Sequence, residues 1–231
     1  VQLGNDIEGP AANELFNSAA LSADGTRVAV GIINNDDGGN DAGQVQIYEF
    51  NGTDWVQFGN DLNGETAEDQ SGFSLSMNQD GTRVAIGSIL NDGNGTDSGH
   101  VRTYHYNRLT SQWEQLGLDI DGDAGTQSGF SVALSLDGDR LAIGTIVGAA
   151  NAGYVRVFEY NGIAWNQIGS DIIGDPDDQS GYSVSLSFDG SRLSIGAIDI
   201  DGTGYVKVYE YNKETDTFTQ RGQTINGIAN G

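Results

Sequence analysis

A 16-residue pattern occurs four times in this chain of 231 residues, and the repetition limits the fold more than any single residue does. The clearest copy, Gly129 to Gly144, reads GFSVALSLDGDRLAIG. Similar copies run from Gly72 to Gly87 and from Gly181 to Gly196, and a weaker copy lies around Ser18 to Gly31. The Asp-Gly pairs inside the four copies are 56, 57 and 52 residues apart. A period near 50 residues predicts a stacked or radial array of similar units.

Each unit contains four short runs in which apolar and polar residues alternate. In the third unit the runs are 130–135, 141–144, 154–160 and 165–172. A period of two predicts strands, and the Asp-Gly and Asn-Gly pairs between the runs are typical of hairpin turns. We therefore predict an all-β fold, a β-propeller-like array of four-stranded antiparallel blades with about four blades in this chain. A β-sandwich is the alternative, but sandwiches do not require such close internal repetition.

The repeats predict a single domain over residues 1–231. Its units cover approximately 1–55, 56–113, 114–165 and 166–218, with a partial copy at 219–231. The fourth run occurs five times and the other runs four times. The extra copy, near Val1, either completes a ring beside the last blade or belongs to a preceding blade, in which case the array is part of a larger propeller or fibre. An uncovered blade edge is a template for strand pairing, so we expect self-association.

Composition excludes several classes of partner. The chain has 33 acidic residues against 10 Lys and Arg, a formal charge of −23, which disfavours nucleic acid and anionic lipid as partners. It has no cysteine, which excludes disulfides, thiolate metal sites and thiol nucleophiles. No apolar run approaches the ~20 residues that span a bilayer, so we expect no membrane insertion.

The repeated phrases resemble the FG-GAP-type propeller repeat, in the variant found in large secreted or surface proteins of marine microbes and algae. The resemblance lies in SGFSVALSxDGxRLAIG at 128–144, GxVRVFEYNG at 153–162 and WxQIGxDI at 165–172, and it covers essentially the whole chain. It implies an extracellular propeller used for adhesion, for protein or glycan contact, or as a scaffold. Family members that bind calcium do so through a hairpin with three acids. The hairpins at Asp24-Gly25 and Asp137-Gly138 depart from that pattern, so we do not expect calcium there.

Other acidic clusters are candidate calcium sites, because calcium prefers several oxygen ligands. Carboxylates stand at alternate positions in 119–123, and 199–202 is also rich in oxygen donors. The corresponding loop of the third unit, 147–152, contains no acid, which argues against a metal in every blade. The candidate calcium ligands are Asp119, Asp121, Asp123, Asp199 and Asp201.

Few residues suggest chemistry outside the repeat. His100 and His105 have no counterparts in the other units and point to opposite faces of one strand, which favours packing or surface roles. The serines of the first strand recur in every unit, which indicates structure rather than a nucleophile. Asn51 and Asn94 each begin an Asn-Gly-Thr sequence and are predicted N-glycosylation sites in loops.

From these observations we predict a non-enzymatic extracellular protein, a structural or adhesive scaffold or a self-assembling surface component. Its expected partners are other copies of itself, or a glycan or cell-surface molecule. A lectin-like or protein-binding propeller module is the alternative. An enzyme is disfavoured because no singular group of polar residues stands out from the repeat, and no cofactor other than calcium is expected.

Overall fold

A computed structural model describes residues 2–9, 14–198 and 203–227. It contains four antiparallel sheets that follow one another along the chain as the blades of a propeller-like array, so the predicted fold class is confirmed. In every sheet the first strand pairs with the second and the second with the third. The part of the chain after the third strand, which we call the outer segment, forms one or two further strands that pair with the third strand.

The blades are numbered in chain order. Blade 1 contains β1 (Phe16–Leu21), β2 (Arg27–Ile32), β3 (Gln44–Phe50), β4 (Trp55–Gln57) and β5 (Leu62–Asn63). Blade 2 contains β6 (Ser71–Met77), β7 (Arg83–Ser88), β8 (His100–Asn107), β9 (Gln112–Gln115) and β10 (Ile120–Asp121). Blade 3 contains β11 (Ser131–Leu134), β12 (Arg140–Thr145), a 3₁₀ turn (Ala149–Asn151), β13 (Tyr154–Tyr160) and β14 (Trp165–Ile173). Blade 4 contains β15 (Ser183–Leu186), β16 (Arg192–Ala197), β17 (Tyr205–Asn212), β18 (Thr217–Gln220) and β19 (Ile225–Asn226).

The second strand lies inside the array in blades 1, 2 and 3, whereas β16 of blade 4 alternates between buried and more exposed residues. In β12, Leu141, Ala142 and Ile143 are all buried although they alternate between the two faces of the sheet. Both faces are covered because neighbouring blades pack face to face. The apolar side chains form one cluster between each successive pair of blades.

Glycine in the second strand lets adjacent blades approach closely. Ser74 Oγ donates a hydrogen bond of 2.7 Å to the carbonyl oxygen of Gly129 in the next blade. A Cβ atom added at Gly87 would lie only 2.2 Å from that same oxygen. Gly31 and Gly144 repeat this close approach.

Tryptophan connects the outer strands. Trp113 Nε1 donates to the carbonyl oxygen of Phe58 in blade 1, at 2.8 Å. Trp55 Nε1 donates in the same way to Leu3, at 3.0 Å. Residues 2–9 therefore pack against blade 1 in the same way as the outer segment of blade 1 packs against blade 2. Among the described residues no helix is long and apolar enough to cross a membrane.

Candidate functional site

Each blade has a hairpin end, where a tight turn joins its first two strands, and an opposite loop end. At the loop end the second strand leads into a long loop, and the outer segment leads into the next blade. The third strand begins at the loop end, and its first residue differs between blades. In chain order these first residues are Gln44, His100, Tyr154 and Tyr205.

His100 is the exceptional member of this set. In blades 3 and 4 the tyrosine hydroxyl reaches the loop that enters the same blade: Tyr154 Oη lies 3.3 Å from Thr126 Oγ1, and Tyr205 Oη donates to Asp178 Oδ2 at 2.6 Å. The imidazole of His100 is shorter than a tyrosine side chain. It is 1% exposed, and its Nε2 atom has no hydrogen-bond partner within the described part of the chain. A buried polar atom without a partner is costly, so this nitrogen calls for an explanation.

The protonation state of His100 follows from its surroundings. Burial, followed by the neighbouring Arg102 guanidinium, lowers its pKa to about 4. The imidazole is therefore neutral at pH 7 and has a lone pair available. Its Nδ1 atom lies 4.0 Å from Asp121 Oδ1, too far for a hydrogen bond. Burial, followed by the charge of Asp119, raises the pKa of Asp121.

Arg102 lies two residues further along β8 and turns towards blade 1. Its Nη2 donates to the carbonyl oxygen of Asn63 at 2.8 Å, and its Nη1 lies 3.3 Å from Glu65 Oε1. Glu65 belongs to the loop between blades 1 and 2, and 43% of its side chain is exposed. The guanidinium therefore fixes the position of a carboxylate that faces solvent.

The direction of Arg102 leaves Asp119 with fewer partners than the corresponding residue of blade 3. There, Asp171 accepts two hydrogen bonds of 3.1 Å from Arg156, at the same strand position as Arg102, and one of 2.7 Å from Gln167. Asp119 accepts a hydrogen bond only from Gln115, at 2.6 Å, among the contacts of the described residues. One of its carboxylate oxygens is thus available to another group.

The loop between blades 1 and 2 is held by a second carboxylate. Asp69 is 1% exposed and accepts hydrogen bonds from Thr66 Oγ1 at 2.7 Å and from Asn91 Nδ2 at 3.1 Å. The backbone N–H groups of Glu65 and Thr66 also donate to it. This network determines where the backbone at Glu65 lies.

Glu65, His100 and Asp119 together form the one group of three or more potential metal ligands found in the described residues. One ligand atom of each lies within 4.8 Å of one ligand atom of each of the others. The three residues are supplied by the interblade loop, by the start of β8 and by the segment before β10. We call them the Glu65–His100–Asp119 cluster.

His100 also stands in a row of cross-strand neighbours. It lies opposite Ser88 on one side and opposite Asp121 on the other. Serine, histidine and aspartate could in principle form a nucleophilic triad. Ser88, however, is fully buried, and Thr145 at the same position of blade 3 also lacks a hydrogen-bond partner, although its neighbour there is Tyr154. The unpartnered hydroxyl is therefore a property of the framework and does not identify a nucleophile.

The structure places the predicted calcium ligands in different surroundings. Asp119 belongs to the cluster, whereas Asp123 forms an ion pair of 2.8 Å with Arg156 of blade 3. Asp121 is beside His100. Asp199 and Asp201 lie outside the described residues, and calcium binding at the five aspartates stays a prediction.

Sequence reasoning missed Glu65 and assigned His100 to a packing or surface role. Glu65 gives no signal of its own, because Asp123 and Asp175 occupy the equivalent loop positions as partners of Arg156 and Lys207. A position-by-position comparison of the units could have identified His100, since the two later units have tyrosine there. His105 is partly buried and belongs to no such group.

The predicted glycosylation sites lie on the surface. Asn51 is exposed, and its Oδ1 accepts hydrogen bonds from the backbone of Thr53 and Asp54. Asn94 is also exposed, and its Nδ2 donates a hydrogen bond to the carbonyl oxygen of Gly122. Both sites stay predictions.

No protein-family model and no curated protein sequence matches this chain. Solved structures do match it, as propeller folds. A candidate 6-phosphogluconolactonase from Bacteroides fragilis is 15% identical with a TM-score of 0.62, over 94% of this chain and 57% of that one. The periplasmic gluconolactonase of Pseudomonas aeruginosa is 16% identical with a TM-score of 0.58, over 92% and 57%. The β-propeller domain of Swd1 from Myceliophteria thermophila is 14% identical with a TM-score of 0.53, over 87% and 55%.

These likenesses show a β-propeller fold, and the chain spans a little over half the length of each of these structures. They also correct the predicted function. The prediction of a non-enzymatic structural or adhesive protein was wrong, because proteins described as lactonases share the fold over more than nine-tenths of this chain. The error was to treat repetition as evidence against an enzyme. Residues that lie far apart in different units can still meet at one end of the blades.

Proposed function

We propose that this chain is part of a β-propeller hydrolase that opens an uncharged sugar lactone at the Glu65–His100–Asp119 cluster. The observation that carries the proposal is the break in repeat symmetry at this place, where two carboxylates and a neutral imidazole converge. The likeness to a gluconolactonase and to a candidate 6-phosphogluconolactonase supports the reaction class.

The chemistry of lactone opening needs a base near a bound water. Water adds to the carbonyl carbon and loses a proton to the base, and the bond to the ring oxygen then breaks. The ring oxygen takes up a proton, so the product is an open hydroxy acid. Asp119 suits the role of base because one of its oxygens is available, while Glu65 is held by Arg102.

Charge favours an unphosphorylated substrate. The chain carries a net charge of −23, and Arg102, the cation beside the cluster, is already paired with Glu65. A phosphate group would meet repulsion without a free cation to bind it. The same repulsion would help release the anionic product.

The test is the rate of acid release from glucono-1,5-lactone in a pH-stat, with the spontaneous rate subtracted. We expect the purified chain to open this lactone faster than its 6-phosphate ester. Asp119→Asn should lower the rate about 100-fold, because the proton acceptor is lost. The matched control is Asp61→Asn in blade 1, where the equivalent aspartate accepts hydrogen bonds from Gln46 and Gln57.

Two results would contradict the proposal. One is a rate no higher than that of the buffer. The other is an equal loss of rate in the Asp119 and Asp61 variants, which would place the activity outside the cluster.

We also propose that the chain is related to FG-GAP-type repeats and functions outside the cytoplasm. The repeated phrases described above support the first point. The periplasmic location of the Pseudomonas aeruginosa gluconolactonase is compatible with the second. Detection of the native protein in culture medium or in a periplasmic extract would test the location.

A further inference from the structure

The buried Nε2 atom of His100 has no partner among the described residues, whereas the corresponding tyrosines of blades 3 and 4 reach the adjoining loop with a hydroxyl group. Gln44 of blade 1 reaches Asp37 and Asn63 with its amide nitrogen, although its Oε1 atom is also buried without a partner in the described structure. His100 Nε2 has no partner in the described structure although the side chain is 99% buried, the complement of its 1% exposure. A ligand that accepts the imidazole lone pair would satisfy it.

The distances suit a single ion. A ring nitrogen of His100 and one oxygen each of Glu65 and Asp119 lie within 4.8 Å of one another. Zinc binds imidazole nitrogen and carboxylate oxygen at about 2.1 Å in tetrahedral geometry, so the donors around one ion lie about 3.4 Å apart. Binding of one ion therefore requires small side-chain movements, and the partly exposed Glu65 side chain is free to make its share of them.

The local charge favours a divalent cation. Four carboxylates surround His100, those of Glu65, Asp69, Asp119 and Asp121, and Arg102 is the one cation that the described part of the chain places among them. Their formal sum is −3 while the imidazole is neutral. A divalent ion would neutralise most of this charge without displacing Arg102, which stays bound to Asn63 and Glu65.

We propose that Glu65, His100 and Asp119 bind a divalent transition-metal ion of the zinc type. An imidazole nitrogen with two carboxylates suits zinc and its neighbours in the first transition row, whereas calcium prefers oxygen ligands alone. Three protein ligands leave a coordination position for water or for a substrate oxygen. The inference deepens the proposed function: an ion bound by Asp119 would take over from that carboxylate the activation of water and would polarise the lactone carbonyl, while metal binding itself does not depend on that reaction.

The experiment is calorimetric titration of the full chain with zinc chloride and with calcium chloride after removal of metals by EDTA. We expect one zinc site per chain and much weaker binding of calcium. His100→Tyr and His100→Gln should each weaken zinc binding about 100-fold or more, since a direct ligand is lost. Both replacements occur naturally at this position in sister blades, and circular dichroism will verify that the variants fold.

The composition provides a clean control. The chain has two histidines and no cysteine, so His105→Gln removes the other nitrogen ligand and should leave zinc binding unchanged. Cobalt chloride provides a second readout, because bound cobalt should give visible absorption bands that His100→Tyr abolishes.

Absence of a zinc site in the wild-type chain overturns the inference, and so does zinc binding that His100→Tyr and His100→Gln leave unchanged. Zinc binding that depends on His100, without any lactone opening, supports the metal site and contradicts the proposed function. Lactone opening that continues in EDTA, with no zinc bound in calorimetry, supports the function and overturns the metal site.

Discussion

The hairpin ends of the blades repeat one arrangement, whereas the loop ends differ from blade to blade. At the hairpin ends an aspartate in each turn accepts hydrogen bonds from residues of its own turn, as Asp24 does from Ser22 and Thr26. Backbone hydrogen bonds then join neighbouring turns, from Ala23 to Gln79 at 2.9 Å and from Gln79 to Leu136 at 2.8 Å. At the loop ends the third strand begins with a different side chain in blade 2 than in blades 3 and 4.

The difference shows where this architecture can accommodate a site. A hairpin turn must match the turns on both sides, so a change in one blade disturbs its neighbours. The first residue of a third strand has to satisfy only its own buried polar group. Blade 2 departs from the repeat at that position, and the Glu65–His100–Asp119 cluster forms there.

The two ends can be compared only if all blades share one rigid framework, and Gly87→Ala should disrupt the packing between blades 2 and 3 that maintains it. A Cβ atom at Gly87 would lie 2.2 Å from the carbonyl oxygen of Gly129, and a backbone group in the next blade cannot move away cheaply. We expect the free energy of unfolding in urea to fall by about 3 kcal/mol or more.

Gly196→Ala is the matched control in blade 4. A Cβ atom there would meet chiefly Ser183 Oγ, at 2.4 Å, and this hydroxyl can rotate away. The loss should be below about 1 kcal/mol, within the range of ordinary substitutions. Equal losses at the two glycines would mean that the contact between blades is not what requires glycine.

Exchanging the residues that begin the third strands sharpens the comparison between blades 2 and 4. In EDTA, His100→Tyr should leave the free energy of unfolding unchanged or raise it by about 1 kcal/mol, because an unpartnered buried nitrogen is removed. Tyr205→His should lower it by about 1 to 3 kcal/mol, because the 2.6 Å hydrogen bond to Asp178 is lost. Urea titrations monitored by tryptophan fluorescence measure both changes.

Tyr205→Phe separates the hydroxyl from the ring in this exchange. It should reproduce most of the loss seen in Tyr205→His, since the aromatic packing is retained. If His100→Tyr destabilises the metal-free chain more than Tyr205→His does, then His100 is required for packing, and the argument from its unpartnered nitrogen is wrong.

Much of the fold could be predicted because each unit repeats the same strand and turn signals. Alternation in 154–160 and the Asn-Gly turn after it are local signals, and four copies make them unmistakable. The division of the outer strand into two short pieces in blades 1, 2 and 4 was not predicted. A glycine with positive φ stands at the same place in all four blades, Gly59, Gly117, Gly169 and Gly222, at 88°, 84°, 66° and 76°. In blade 3 the strand β14 continues through it with a shift of register, whereas in the other blades the pairing is interrupted.

The candidate site was far less predictable, because it depends on contacts between units. Glu65 and Asp119 are 54 residues apart and belong to different blades. The direction of the Arg102 side chain determines whether Asp119 keeps an available oxygen. Arg102 binds Asn63 and Glu65 of the preceding segment, whereas Arg156 binds both Asp123 and Asp171. Nothing local to either arginine distinguishes the two arrangements.

The smallest expected effect concerns the hairpin ends, where the blades should behave alike. Hydrogen bonds from the backbone and side chain of Thr26 and from Ser22 lower the pKa of Asp24 to about 2, and Ser191 and Ser187 do the same for Asp189 in blade 4. Because the folded pKa lies below the ordinary value of 3.8, the ionised carboxylate stabilises the fold above about pH 4. This contribution is lost as the pH falls from about 4 to 2.

Asp24→Asn and Asp189→Asn should therefore each reduce, slightly and equally, the dependence of the thermal midpoint on pH across that window. A change in one variant without the other would show that the hairpin ends are not equivalent, and the contrast with the loop ends would then lose its basis.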